Sequence, residues 1–246
     1  MSGSIGVIEE GLLSWMILQN SAHRNALTTK MWAQIPEVLD NLSRKKNRVV
    51  ILTGEGKEAF GSAQSEKYQK LIHNAIESIK NFKAPIISLI RGYCLGGGCG
   101  LALSTDLRYA TPNAVFGITP SKIGLGYSQE ATEELISAVG FPNAKEILFT
   151  GNRYDSQKAL KMGIINDIFD ENSIENKVRK IADIISHNAP LSVQHAKITI
   201  NELMKKDEKP NTEKIQKSFI TCIKSEDYKE GILAFLEKRK ADFKGE

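Results

Sequence analysis

The most constraining stretch of the chain lies near its middle: Ala84-Pro85-Ile86-Ile87-Ser88-Leu89-Ile90-Arg91-Gly92-Tyr93-Cys94-Leu95-Gly96-Gly97-Gly98-Cys99-Gly100-Leu101-Ala102-Leu103-Ser104-Thr105-Asp106. The β-branched run behind Pro85 predicts a buried strand, the glycines a turn, and the apolar residues after them the start of a helix. Gly96, Gly97 and Gly98 carry no side chain that could hold a ligand away from the backbone. At a helix start, N–H groups lack an intrahelical acceptor and lie at the positive end of the dipole, so they suit an oxygen that carries or develops negative charge. Close packing of helix on strand is the other reading of the same glycines.

Two other glycine motifs fail on spacing. A dinucleotide fingerprint through Gly96 and Gly98 needs glycine or alanine where Leu101 stands, and a phosphate loop from Gly92 to Gly97 needs lysine at Gly98.

The remaining sequence sets the scale. The 246 residues, 41% hydrophobic and 25% charged, suit one sizeable core or a core with a small appended unit. A formal charge of +4 is too weak to argue for nucleic acid. Cys94, Cys99 and Cys222 are odd in number and lack zinc-ligand spacing, so they read as free thiols. No apolar run is long enough to span a membrane and no leader pattern opens the chain, which makes the cytoplasm the expected location.

Apolar runs on either side of Glu10-Gly11 predict two strands within residues 7–18. Residues 20–25 read as polar loop. Thr28 or Thr29 caps a helix to about Arg44 that Pro36 should bend or delay. A strand over 48–54 and a helix over 65–82 lead into the central stretch. Strands follow over 106–110, 115–118 and 164–169. Helices follow over 129–139, 142–149, 156–162, 174–186 and 190–204, and over 212–240 with interruptions. Alternating strands and helices predict right-handed crossovers in a mainly parallel sheet, hence an α/β fold. Composition shifts near Asp170, dividing the chain into 1–170 and a helical unit, 171–246.

Several motifs in order resemble the crotonase (enoyl-CoA hydratase/isomerase) superfamily. They are Asn25-Ala26-Leu27, Gly92-Tyr93-Cys94-Leu95-Gly96-Gly97-Gly98, Ser104-Thr105-Asp106, Phe116-Gly117, Lys122-Ile123-Gly124-Leu125-Gly126, Ala144-Lys145-Glu146-Ile147-Leu148-Phe149-Thr150-Gly151, Ala159-Leu160-Lys161-Met162-Gly163 and Ser225-Glu226-Asp227-Tyr228. The resemblance implies a spiral of ββα units, a C-terminal helical region that packs on neighbouring subunits, and an acyl-CoA thioester as substrate. It implies no cofactor beyond that coenzyme A, no metal, no nucleic-acid or membrane partner, and a homotrimer or dimer of trimers. The thioester oxygen would be held by the N–H of Gly97 and by a second amide bordering Ser62 or Ala63. CoA would lie against Asn25 and Ala26, with Phe219, Phe235 and Lys238 reaching across from a neighbour. Packing is the alternative reading for the two phenylalanines, and a solvated helix face for Lys238.

The sequence departs from the family pattern twice. After Phe60-Gly61-Ser62-Ala63, roughly ten to twenty residues of the usual loop are missing, and a loop of that kind is often disordered. The expectation is a loop outside the ordered chain more than a deletion. The two glutamates with which hydratases of this superfamily activate water fall at Gly100 and Pro120, and neither residue transfers protons. Glu130, Glu133 and Glu134 read as a solvated helix face, and His23, His73, His187 and His195 as surface or packing residues. Tyr127 resembles a tyrosine of the decarboxylase-like branch, where a phenol could orient a carboxylate or protonate an enolate carbon; a buried structural tyrosine is the alternative. The implied function is an acyl-CoA enzyme of the hydratase/isomerase type. Decarboxylation of a malonyl-type CoA and CoA-ligand binding without catalysis are the other readings.

Overall fold

The computed structural model describes residues 3–63, 69–205 and 209–246. Its first unit is the hairpin β1 (Ser4–Glu10) and β2 (Leu13–Gln19), paired antiparallel around Gly11. Thr28 caps α1 (Thr29–Ser43), its hydroxyl accepting from the Met31 N–H. Pro36 lies inside α1 without delaying it. Burial of Trp32, Ile35, Leu39 and Leu42 offsets the lost backbone bond.

From there the chain alternates between two sheets. β3 (Val49–Gly54), β5 (Ile86–Ile90), β7 (Leu107–Ala110) and β10 (Asp167–Ile168) extend the first sheet in the order β1-β2-β3-β5-β7-β10, parallel beyond β2. β4 (Ala59–Ala63), β6 (Tyr93–Gly96), β8 (Val115–Gly117) and β9 (Arg153–Asp155) form the second sheet in that order. Each turn of the spiral therefore gives one strand to each sheet. Helices α2 (Gln69–Lys80) and α3 (Gly97–Leu103) follow β4 and β6.

Gly92 shows why the spiral turns where it does. Its φ is +58°, and a Cβ there would lie 1.9 Å from the Glu58 carbonyl oxygen, which accepts from the Tyr93 N–H at 2.9 Å. No side chain fits. The central glycines thus contain two events, a sheet change at Gly92 and a helix start at Gly97, with β6 between them where the sequence suggested one turn.

Both faces of the first sheet are buried at β3 and β5. Val50, Leu52, Ile86 and Ile90 face the core that holds Trp32 and Phe60, while Val49, Ile51, Ile87 and Leu89 face the cluster built with Ile174, Val178 and Ala182. The latter three belong to α6 (Ile174–His187), which covers the sheet's outer face. The period-two split is the strand pattern of a sheet covered on both sides.

The expected helices over 129–139 and 142–149 are both present, meeting at the non-helical Gly140 (φ +74°) within the span α4 (Gln129–Thr150). α5 (Ser156–Met162) matches its expected bounds. The strand expected over 164–169 contracts to β10, because the Ile164 N–H donates to the Ala159 carbonyl of α5 and its carbonyl accepts from the Arg108 guanidinium, which takes it out of any strand ladder. The long loop expected after Ser62 does not exist. The chain runs continuously from β4 to α2 with only residues 64–68 between, and the expected first turn of that helix lies outside the described residues.

Helices α7 (Pro190–Leu203), α8 (Thr212–Lys224) and α9 (Glu226–Leu236) complete the chain. Lys197 fastens α7 to the core, its ammonium 2.7 Å from Asp106 and within hydrogen-bond reach of the Ile79 and Ala84 carbonyls. Buried Glu202 joins α7 to α8 through Lys214 at 2.8 Å and the Asn211 N–H at 3.2 Å. The Asp227 carboxylate accepts from the Lys244 and Gly245 amides and so folds the C-terminal segment back onto α9. Among the described residues no helix is long and apolar enough to cross a membrane.

Candidate active site

The end of β6 and the start of α3 form the floor of a cavity of about 390 Å³, lined there by Gly96, Gly97 and Gly100. Its size suits a small acyl group. Gly96 precedes the helix with φ +52° and ψ −122°, a conformation only glycine holds readily. Gly97 is the first residue of α3, so its N–H has no acceptor within the helix.

β4 runs beside this floor. Ser62 pairs in parallel register with Leu95, and Ala63 with Gly96. The two backbones also converge one step earlier, since a Cβ on Gly61 would lie 3.7 Å from the Gly98 Cα. Two segments rich in small residues thus meet at the cavity floor.

The opposite walls come from three places. Ile118, Thr119 and Pro120 follow β8, Leu125 and Tyr127 precede α4, and Lys70, Ile72, His73 and Ile76 project from α2. The sequence reading brought Gly97, Gly100, Pro120 and Tyr127 to one site, and the fold brings them together here.

Tyr127 is the polar centre of the apolar part. Its phenol oxygen lies 3.4 Å from where a Cβ on Gly100 would stand, so the missing side chain of Gly100 leaves the volume the phenol borders. Burial pushes the phenol well above its ordinary range, and the Cys99 and Cys94 thiols act in the same direction. It is therefore a neutral O–H donor at any ordinary pH. Among the described residues that O–H has no hydrogen-bond partner. Burial likewise raises the Cys94 thiol, next to Cys99, which leaves it a packing group and not a nucleophile.

The carboxylates separate. Glu134 bridges to Lys80 at 2.8 Å and Glu133 accepts from the Gln129 amide at 2.9 Å, both half-buried. Glu130 lines the cavity from the first turn of α4. Glu130 and His73 are both exposed, in keeping with a solvated face and a surface position, and each also stands on the lining of the cavity. Nothing in local spacing marks either residue, because α2 and α4 meet the cavity only through the tertiary fold.

The residues expected around CoA lie elsewhere in this chain. Asn25 is buried with φ +52°; its amide donates to the Glu55 and Ala59 carbonyls at 2.9 and 2.7 Å, and its oxygen accepts from the Asn20 N–H at 3.0 Å. Its side chain thereby ties the loop before α1 to the start of β4. Ala26 adjoins it, half-buried. Phe219 on α8 and Phe235 on α9 are exposed, the latter by 83%, and Lys238 follows α9 with φ +53°. These five residues do not line the cavity within one chain. Among the described residues no group of three or more His, Cys, Asp or Glu side chains could hold a metal ion.

The family model described as Enoyl-CoA hydratase/isomerase matches residues 8–246. A short-chain-enoyl-CoA hydratase from Clostridium acetobutylicum is 28% identical, with 95% of each chain covered. Methylmalonyl-CoA decarboxylase from Escherichia coli is 31% identical over 90% of each chain. The crystal structure of an enoyl-CoA hydratase from Bacillus anthracis superimposes with a TM-score of 0.92 at 28% identity, covering 99% of this chain and all of that one.

Proposed function

The chain belongs to the enoyl-CoA hydratase/isomerase family, and from that premise we propose that it processes an acyl-CoA thioester through a backbone oxyanion hole, by decarboxylating a malonyl-type CoA in preference to hydrating an enoyl-CoA. The Gly97 N–H and an amide at the Ser62–Ala63 end of β4 hold the thioester oxygen as it gains charge. One such donor is worth about 3–4 kcal/mol of transition-state stabilisation.

The observation that carries the choice of reaction is the phenol of Tyr127 beside the bare Cα of Gly100. Hydration needs a base to take a proton from water and an acid to protonate the α-carbon, and Gly100 and Pro120 supply neither. Decarboxylation needs less. The bond between the α-carbon and the carboxylate breaks, its electron pair forms the thioester enolate, CO₂ leaves, and one proton is then added at the α-carbon. A neutral phenol with no hydrogen-bond partner among the described residues can orient the departing carboxylate and afterwards donate that proton, which solvent restores.

CoA lies along the Asn25-Ala26 segment, with Phe219, Phe235 and Lys238 supplied by a neighbouring copy. This arrangement makes residues 171–246 the assembly region of a trimer or dimer of trimers. The apolar side chains exposed on α8 and α9 support it. No cofactor is required beyond the CoA of the substrate. The three unpaired thiols support a cytoplasmic setting.

A panel of enoyl-, hydroxyacyl- and malonyl-type CoA esters, incubated with the intact chain and read by mass spectrometry, tests the proposal. Loss of CO₂ from a malonyl-type ester is the expected result. Binding across the panel without turnover would replace the enzyme by a CoA-ligand binding protein.

A further inference from the structure

The wall that α2 gives to the cavity carries chemistry that a plain hydrocarbon acyl chain cannot use. We infer that Lys70 and His73 bind an anionic group of the ligand, a carboxylate at the far end of the acyl chain and separate from the one that Tyr127 orients at the α-carbon, an inference that rests on the acyl-CoA reading above.

Lys70 and His73 are three residues apart, so they stand on one face of α2, and both line the cavity that contains Gly97 and Tyr127. Ile72 and Ile76 of the same helix line it as well, giving an aliphatic surface for methylene groups beside the two nitrogen-bearing side chains. Among the described residues neither Lys70 nor His73 makes an ion pair or hydrogen bond. Lys80, at the other end of α2, shows the contrast: it is engaged by Glu134 at 2.8 Å and by Glu77 at 3.4 Å.

The one carboxylate lining the cavity among the described residues, Glu130, is not paired with Lys70. The charges on the two walls are therefore free to act on a ligand with opposite signs. An ammonium at the edge of an apolar cavity keeps its own hydration while its stem packs on the wall, and it gains a charge-assisted hydrogen bond when an anion arrives. A terminal methyl group offers it nothing. The phosphates of CoA present the same anionic chemistry, so the test must separate the two sources.

Dissociation constants of the intact protein for butyryl-CoA, glutaryl-CoA and free CoA, measured by calorimetry, make that separation. Neither thioester is a malonyl-type or enoyl substrate. Glutaryl-CoA is expected to bind roughly tenfold more tightly than butyryl-CoA, the scale of one charge-assisted contact. Lys70→Gln removes that preference and leaves butyryl-CoA and free CoA unchanged, His73→Gln reduces it by a smaller factor, and Glu130→Gln increases it. Equal binding of the two thioesters by the unaltered protein overturns the inference alone. So does a Lys70→Gln variant that weakens free CoA as much as glutaryl-CoA, which would assign Lys70 to a phosphate. Failure to bind either thioester or CoA overturns the acyl-CoA reading and this inference with it.

Discussion

In β3 and β5 every residue is buried, and the two faces of the sheet are divided between clusters that the chain completes by itself. Across α7, α8 and α9 the pattern reverses: Ile200, Leu203, Ile223, Phe235 and Leu236 stand exposed although the helices are regular and Asn211 and Ser225 cap α8 and α9. The spiral buries its apolar faces within one chain and is finished in that sense, whereas the C-terminal helices leave apolar side chains exposed and are unfinished. The same division runs through the proposed site, where the groups for bond chemistry lie in the finished part and those expected to grip CoA, apart from Asn25 and Ala26, lie in the unfinished part. Reaction and grip should therefore be separable by mutation.

The largest effect is expected on the finished side. Gly97→Pro removes one N–H at the first helical position, where proline is tolerated, so the fold should survive. Turnover should fall by about 10²–10³, with CoA affinity within a few-fold of the unaltered protein. Steady-state kinetics with calorimetry checks this, and an unaltered rate in a folded variant removes Gly97 from the mechanism.

Gly92→Ala tests how complete the spiral is. With φ at +58° and backbone 1.9 Å from the new Cβ, it should cost several kcal/mol, about the range of severe single substitutions. A denaturant midpoint close to that of the unaltered protein would show that the turn can shift.

On the unfinished side, Phe235→Asp combined with Leu236→Asp should leave the melting temperature of the chain nearly unchanged while dispersing the assembly into monomers at micromolar concentration. Sedimentation velocity reads this directly. A parent protein that is already monomeric would break the comparison.

The smallest effect is a pH dependence. Lys214 and Lys205 hold the Glu202 carboxyl at about 2, below its ordinary 4.5. Because the folded value is depressed, this contribution to stability is present above the ordinary value and is lost as pH falls from about 4.5 towards 2. Glu202→Gln should flatten acid unfolding in that window, and an identical acid transition would remove Glu202 as a pin between α7 and α8.

What was legible in the sequence follows the same division of local from tertiary causes. α5, bounded by the Asp155 cap and by Gly163 at φ +87°, carries its limits in its own residues, and β5 announces itself by an unbroken β-branched run. β4, β6 and β9 do not. They are short, rich in small or polar residues, and exist because the spiral lays them side by side. Within the site, Gly97, Gly100 and Tyr127 were legible through motif spacing. Lys70, His73 and Glu130 were not, because their place on the cavity depends on how α2 and α4 approach it. Asn25 shows the reverse: its motif marks it, and its buried amide is committed to holding the chain together.

The central claim is that a phenol beside a bare glycine replaces the paired carboxylates, and one paired measurement tests it most directly. Rates of CO₂ release from a malonyl-type CoA and of water addition to crotonyl-CoA are measured on the same preparation, for the unaltered protein and for Tyr127→Phe. The account predicts that CO₂ release is the faster reaction, that Tyr127→Phe slows it by roughly 10–10² as expected for loss of a positioned proton donor, and that CoA affinity stays the same. Efficient crotonyl-CoA hydration, insensitive to Tyr127→Phe, would contradict it.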